Sequence, residues 1–221
     1  ERSYKDEEVL YFNSGNSGGC RPKCLLCDTE GDWLVKFRHT YDPKDMGVME
    51  YRYNEIARKC GITVPDFKLI DGKYFATKRF DIENGIRYHI ATAGALLNES
   101  IMQPRLDYKT LLHLVGYLTQ DPKQVDEMFR RMVFNVLTDN KDDHVKNFSF
   151  IYKDEKWALA PAYDLTRCNN GYNGEHATSV NNHGNPTIED MLIVGESIRI
   201  PRKKGKEMMQ AIACLLYTSP S

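Results

Sequence analysis

Residues 138–167 read T-D-N-K-D-D-H-V-K-N-F-S-F-I-Y-K-D-E-K-W-A-L-A-P-A-Y-D-L-T-R. Acidic residues crowd the front, two apolar runs flank a charged turn, and Tyr163-Asp164-Leu165 follows. The pattern predicts strands over 149–152 and 157–160, joined by the turn Lys153-Asp154-Glu155-Lys156. A hairpin that short brings its ends together, so Asp142 and Asn147 before it are expected near Asp164 after it.

That arrangement suits phosphoryl transfer from a metal-bound nucleotide. The chemistry needs one carboxylate near the acceptor hydroxyl, and an Asp and an Asn holding magnesium against the phosphates. Protein kinases place the catalytic Asp five residues before the metal-binding Asn, with a second metal-binding Asp one hairpin later. Asp142, Asn147 and Asp164 have that spacing. The plain alternative for Asp139, Asp142 and Asp143 is a solvated acidic loop. A calcium loop fails, because Lys141 takes a ligand position and His144 stands where that loop needs Gly.

The kinase reading requires a phosphate loop and a lysine upstream. Residues 13–23, N-S-G-N-S-G-G-C-R-P-K, supply glycines that let backbone N–H groups approach a phosphate. Lys36, in the strand Trp33-Leu34-Val35-Lys36-Phe37, is the candidate phosphate contact; a snorkelling surface lysine is its ordinary alternative. A helix over 48–60, ended at Gly61, carries Glu50 and Glu55, either of which is placed to pair with Lys36. A hairpin of 67–70 and 74–77 turns at Asp71-Gly72. Lys78-Arg79-Phe80-Asp81 leaves it as a linker whose backbone could meet an adenine edge.

From about Ile82 the pattern becomes helical. One helix spans 108–120, and a second starts at an Asp121 N-cap with Pro122 in its first turn. Val125, Met128, Phe129, Met132, Val133, Val136 and Leu137 form its core stripe, which fixes the acidic loop that follows. His176 and His183, in an Asn- and Gly-rich stretch over 169–185, read as solvated. Pro186-Thr187-Ile188-Glu189-Asp190 opens another helix. Residues 214–221 depart from the helical pattern and resemble a translated cloning scar.

The 221 residues carry a formal net charge of -1, so no global basic field points to nucleic acid as a direct partner. No apolar run approaches membrane-spanning length, and the first residues lack a signal peptide's apolar core. The chain reads as cytoplasmic and its six cysteines as reduced thiols. Cys20, Cys24 and Cys27 have C-x3-C-x2-C spacing, similar to the cluster loop of radical S-adenosylmethionine enzymes. Against an iron–sulfur enzyme, Cys24 and Cys27 fall within a predicted strand, where buried small-hydrophobe cysteines are the ordinary outcome.

Four segments together resemble the kinase region of the HipA family, the serine/threonine kinase toxins of bacterial toxin–antitoxin pairs. They are Ser17-Gly18-Gly19-Cys20-Arg21-Pro22-Lys23, Trp33-Leu34-Val35-Lys36-Phe37, Arg79-Phe80-Asp81, and the loop over 139–147 with Leu159-Ala160-Pro161-Ala162-Tyr163-Asp164-Leu165. The resemblance implies an α+β, two-lobed, protein-kinase-like fold. Its β-rich N-lobe covers 1–81, its mainly helical C-lobe covers 82–213, and 214–221 is a non-native tail. ATP and Mg2+ are the implied cofactors. Asp142 is then the catalytic base, and Asn147 and Asp164 hold the metal. Ser17, Gly18, Gly19, Lys36, Arg79 and Phe80 contact the nucleotide, with Glu50, His144 and Lys146 in support. The implied substrate is a protein serine or threonine, in known members often on an aminoacyl-tRNA synthetase, whose modification stalls translation. An antitoxin, often a DNA-binding protein, is the implied partner. A nucleotide-binding module without transfer activity is the alternative of another class.

Two departures stand out. Many members carry an autophosphorylated serine where this chain has Asn16, which leaves Ser14 and Ser17 as candidate substitutes. Only about ten residues precede the glycine loop, so the family's N-terminal subdomain is expected on a longer chain or as a separate polypeptide.

Overall fold

The computed structural model describes residues 21–169 and 171–218. The sequence-based assignments to Ser14, Ser17, Gly18, Gly19 and Cys20 lie outside the described residues. Strands β1 (Lys23–Asp28) and β2 (Gly31–Lys36) form a hairpin with Lys23 opposite Lys36. With β3 (Phe67–Ile70) and β4 (Tyr74–Lys78) they make an antiparallel sheet ordered β1-β2-β4-β3. Cys24, Trp33, Val35, Phe37 and Ala76 form a small core on this sheet.

Helix α1 (Met46–Lys59) packs against β3 and β4, with the ring of Tyr51 edge-on to Phe67. It ends as expected: Cys60 caps it and Gly61 turns left-handed at φ +73°. Its first turn lies directly on the β3–β4 hairpin. A Cβ at Gly47 would stand 2.0 Å from the carbonyl oxygen of Lys73.

The expectation of helix from about Ile82 is corrected. Strands β5 (Ile82–Glu83) and β6 (Ile86–Arg87) form a hairpin through Asn84-Gly85, both at positive φ. Strand β7 (His89–Thr92) then pairs antiparallel with β8 (Ser149–Lys153), and β8 pairs with β9 (Lys156–Leu159). The hairpin after the acidic loop therefore belongs to a three-stranded sheet ordered β7-β8-β9.

Helices α2 (Ala93–Leu97), α3 (Tyr108–Thr119), α4 (Pro122–Leu137), α5 (Ile188–Ser197) and α6 (Arg202–Thr218) make the second lobe mainly helical. Asp121 caps α4 through Lys123 N–H, and Thr187 opens α5 with a reciprocal capping box to Asp190. Helix α4 packs against α3, α5 and α6, so it is buried on more than one stripe. Met128, Phe129, Met132 and Val133 are in the core as expected, but so are Arg131, Phe134 and Asn135, while Leu137 is exposed. The tail reading is also corrected in part: the helical pattern does not stop at Ala213. Helix α6 runs to Thr218, with Leu215 and Leu216 packed on the core three and four residues beyond Ile212.

Thr63 joins the lobes. Its N–H and hydroxyl donate to Glu127 on α4, at 3.1 and 3.0 Å, and its carbonyl accepts from Ala162 N–H at 2.8 Å. Among the described residues no helix is long and apolar enough to cross a membrane.

Candidate active site

The acidic loop starts where α4 stops. Thr138 donates its hydroxyl back to Phe134 O at 2.7 Å, and Asp139 takes a left-handed φ of 53°, which turns the chain out of the helix. Asn147 closes the loop by donating from Nδ2 to the carbonyl of Asp142 at 2.7 Å, and its N–H donates to His144 O at 2.8 Å. Strands β8 and β9 then carry the chain out and back to Asp164. Asn147 and Asp164 line one small cavity, together with Asn140 and Asp143. The expected meeting of the two ends of the hairpin is present in the structure.

From the first lobe, Lys36 at the end of β2 pairs with both Glu50 on α1 and Asp164. Glu50, not Glu55, is the helix partner. It is buried, and Lys36 is nearly so, which replaces the snorkelling alternative. Burial opposes the charge on Lys36, but Asp164 and Glu50 outweigh it and hold its pKa above the ordinary lysine value. Burial likewise pushes the Asp164 carboxyl up, and Lys36 more than offsets this, leaving it below the usual carboxylate range.

Asp142 shows the opposite balance. Burial raises its pKa, the His144 imidazole 3.8 Å away pulls it down, and Asp164 and Asp143 push it up again, for a net rise. A carboxylate moved toward neutrality accepts a proton more readily, as a general base requires. Lys146 has an exposed side chain; its backbone carbonyl accepts from Tyr163 OH at 2.6 Å. Phe80 stacks on Tyr163 with ring centroids 6.1 Å apart. Arg79 pairs with Asp81, and its N–H donates to Asp32 O at 2.8 Å, so that donor extends the sheet and is not open to a base edge.

The cysteine cluster reading fails on geometry. Cys24 and Cys27 are three residues apart on β1, so they point to opposite faces; the first is buried and the second exposed.

Sequence reasoning missed the buried polar residues beneath the loop. Asp143 accepts from Tyr108 OH at 2.9 Å, pairs with His176 Nδ1 at 3.0 Å and accepts from Thr178 N–H at 3.2 Å. His176 is thus a core residue and not a solvated one, while His183 pairs with Asp190 at 2.9 Å. Arg131 reaches Glu127 and the carbonyl of Ala160, the latter at 2.9 Å. The signal available was spacing: Arg131 and Asn135 follow Met128 by three and seven residues, which puts them on the same face as the apolar stripe.

The family model of the HipA-like C-terminal domain matches residues 15–217. The chain belongs to this family. A Sinorhizobium fredii protein named "Putative kinase Y4dM" is 30% identical over 174 residues, which are 69% of this chain and 41% of that protein. A Haemophilus influenzae protein named in the same terms is 33% identical over 89 residues, 40% of this chain and 25% of its own length. The chain therefore spans less than half the length of the curated relatives it matches. Among solved structures, the Shewanella oneidensis complex of HipA, HipB and operator DNA matches with a TM-score of 0.70 at 20% identity, covering 93% of this chain and 59% of that one. The Helicobacter pylori proinflammatory kinase CtkA matches with a TM-score of 0.61 at 17% identity, covering 93% and 83%. At these identities the likeness establishes the fold: a HipA- and CtkA-like, two-lobed kinase architecture.

Proposed function

We propose that this HipA-like domain is a protein serine/threonine kinase region that uses ATP and Mg2+. The observation carrying the proposal is the convergence of Lys36, Glu50, Asp164 and Asn147 from both lobes, with Asp142 bound to Asn147 through its own carbonyl. Asp164 and Asn147 supply oxygen donors only, the set that suits magnesium over softer metals. When bound, that ion would neutralise charge on the transferring phosphoryl group. Lys36, steadied by Glu50, supplies a fixed cation for the nucleotide phosphates. A cavity of about 260 Å³ within the first lobe opens against Lys36 and Glu50 and is lined also by Arg21, Arg38 and Lys44, which adds positive charge beside Lys36.

Asp142 orients the acceptor hydroxyl and takes its proton as the hydroxyl oxygen bonds to the γ-phosphorus and the bond to the ADP oxygen breaks. Phe80 and the linker form one wall for the base, with Tyr163 behind the ring. The acceptor is a protein serine or threonine, and a translation factor such as an aminoacyl-tRNA synthetase fits the family resemblance. The partnership of HipA with HipB in the Shewanella complex supports an antitoxin partner here, and the share of relatives left uncovered supports a further subdomain. Ser14 and Ser17 remain the candidate autophosphorylation sites, and Ser17, Gly18 and Gly19 the phosphate loop.

The test is phosphate incorporation from labelled Mg-ATP into a cell extract, comparing the chain with Asp142→Asn and recording thermal shifts by Mg-ATP on both. Transfer lost in the variant supports the kinase. Stabilisation without transfer in either protein would favour a nucleotide-binding module, and neither binding nor transfer by a folded chain would end the proposal.

A further inference from the structure

The residue after Asp142 is more deeply buried than Asp142 itself. Asp143 is 1% exposed, yet it is a carboxylate in the middle of the loop that carries the candidate base and metal ligand. Its carboxylate and its carbonyl are both engaged. Oδ2 accepts from Tyr108 OH at 2.9 Å and faces His176 Nδ1 at 3.0 Å; Oδ1 accepts from Thr178 N–H at 3.2 Å; the carbonyl accepts from Thr178 Oγ1 at 2.5 Å. The chain of bonds continues inward. Asn135 Nδ2 donates to Tyr108 OH at 2.9 Å, and Asn140 Nδ2 donates to Asn135 Oδ1 at 3.0 Å and to the backbone carbonyl of Asp164 at 3.1 Å. Asn135, Asn140, Tyr108 and His176 are all buried.

This chain begins one residue from Asp142 and ends on the backbone of Asp164, so both ends sit at the proposed chemistry. An apolar core would pack the same space without having to satisfy six polar side chains. Asn140 even leaves its Oδ1 without a hydrogen-bond partner among the described residues, so its donor is what the site uses. Asp164 holds a left-handed φ of 55°, and its backbone carbonyl is the group on which the chain of bonds ends. Tyr108 remains a donor because burial, and then the charge of Asp143, push its pKa well above the ordinary value.

We propose that Asp143 and His176 are positioning residues: with Tyr108, Asn135 and Asn140 they form a buried bracket that sets the loop of Asp142 and Asn147 against the backbone of Asp164. The role in catalysis rests on the kinase reading above; the bracket itself does not. His176 stands twelve residues beyond Asp164, in a segment whose backbone is also bound to the loop, with Lys141 N–H on Cys168 O at 3.0 Å and Ala177 N–H on Lys141 O at 3.2 Å. That segment thereby sets the geometry of a site it does not enter.

The experiment compares His176→Leu, Tyr108→Phe and His176→Asn with the unaltered chain by amide hydrogen exchange and by steady-state phosphoryl transfer. The bracket predicts exchange at least tenfold faster over 139–148 and also over 161–167 in the first two variants. It predicts kcat at least tenfold lower and a Mg2+ dependence shifted to at least threefold higher concentration, since the bracket sets the metal-holding Asn147 and Asp164, a shift that a loss of global stability alone would not produce. Asn places an amide donor near the Nδ1 position, so His176→Asn should restore both readouts. Faster exchange confined to the neighbours of the substitution, with 161–167 unchanged, would overturn the proposal. If His176→Leu does not fold, Tyr108→Phe, which removes a single oxygen, decides by the same criteria. Altered exchange in a chain that transfers no phosphate would leave the bracket standing and remove the kinase reading.

Discussion

Lys36 and Asp164, 128 residues apart in the chain, meet in an ion pair that Glu50 completes from the other side. One cation thus serves two carboxylates, and the three groups do not carry equal weight. Glu50 is 3% exposed in its side chain and has Lys36 as its counter-charge. Lys36→Met should therefore cost about 3–5 kcal/mol of stability by leaving that carboxylate buried and unpaired. Glu50→Gln should cost less, because Lys36 keeps Asp164. Urea unfolding of the two variants checks the order; equal costs would mean that an unpaired Glu50 carboxylate is not what makes the Lys36 variant unstable.

Acid should act on the same contact. The folded pKa of Asp164 lies below its unfolded value, so its contribution is present above the unfolded value of about 3.9 and is lost as pH falls through the lower folded one. Asp164→Asn should flatten the fall in melting temperature below about pH 4. Scanning calorimetry from pH 2.5 to 7 reads this directly, and parallel acid profiles for the two proteins would contradict it.

The rate should carry a different acid limb. A base must be ionised, and the raised pKa of Asp142 means that kcat/KM climbs with pH through a value above the usual 3.9 or so before levelling. His144 is the neighbour pulling that value down, so His144→Ala should move the limb to higher pH while leaving the plateau rate nearly unchanged. Asp142→Asn should lower the plateau by roughly 10²–10⁴-fold. A limb that stays in place in the His144 variant would show that the imidazole does not act on Asp142.

Gly47 offers a test of sign. In an exposed helix, Gly→Ala usually stabilises by about 0.5–1 kcal/mol. Here the new methyl would stand 2.0 Å from Lys73 O and 3.0 Å from Phe75 N, both backbone atoms that cannot swing aside. Gly47→Ala should instead destabilise by about 1–3 kcal/mol and lower transfer further by moving Glu50 away from Lys36. A more stable Ala variant would mean that α1 can slide freely on the hairpin.

The parts of the molecule legible in the sequence are those whose cause is local. The β8–β9 turn, the caps at Asp121 and Thr187 and the left-handed Gly61 each depend on a few adjacent residues, and each lies where the pattern predicts. Asp142, Asn147 and Asp164 were legible for the same reason, since one short hairpin separates them. The register of β7 on β8 was not, because His89 and Tyr152 find each other only through the intervening fold. Asn84-Gly85 was a readable hairpin signal that the apparent onset of helix concealed. Asp143 and His176 show the limit most clearly. An Asp in an acidic loop and a His in an Asn-rich loop both look solvated until each supplies the other's buried partner. The choice of Glu50 over Glu55 likewise depended on which face of α1 turned to the sheet.

The hairpin of β8 and β9 has one more consequence, for the order in which the site is built. Asp142, Asn147 and Asp164 fall within about 25 residues, so their contacts close small loops, whereas Lys36 must join them across 128 residues. The acidic half of the candidate site is a local assembly, and its pairing with Lys36 is a distant one. Loop-closure cost therefore predicts that the completed site forms late in folding, when the two lobes dock. Parting the lobes would break the Lys36–Asp164 pair and leave the Asn147–Asp142 contact, which lies within one lobe, in place.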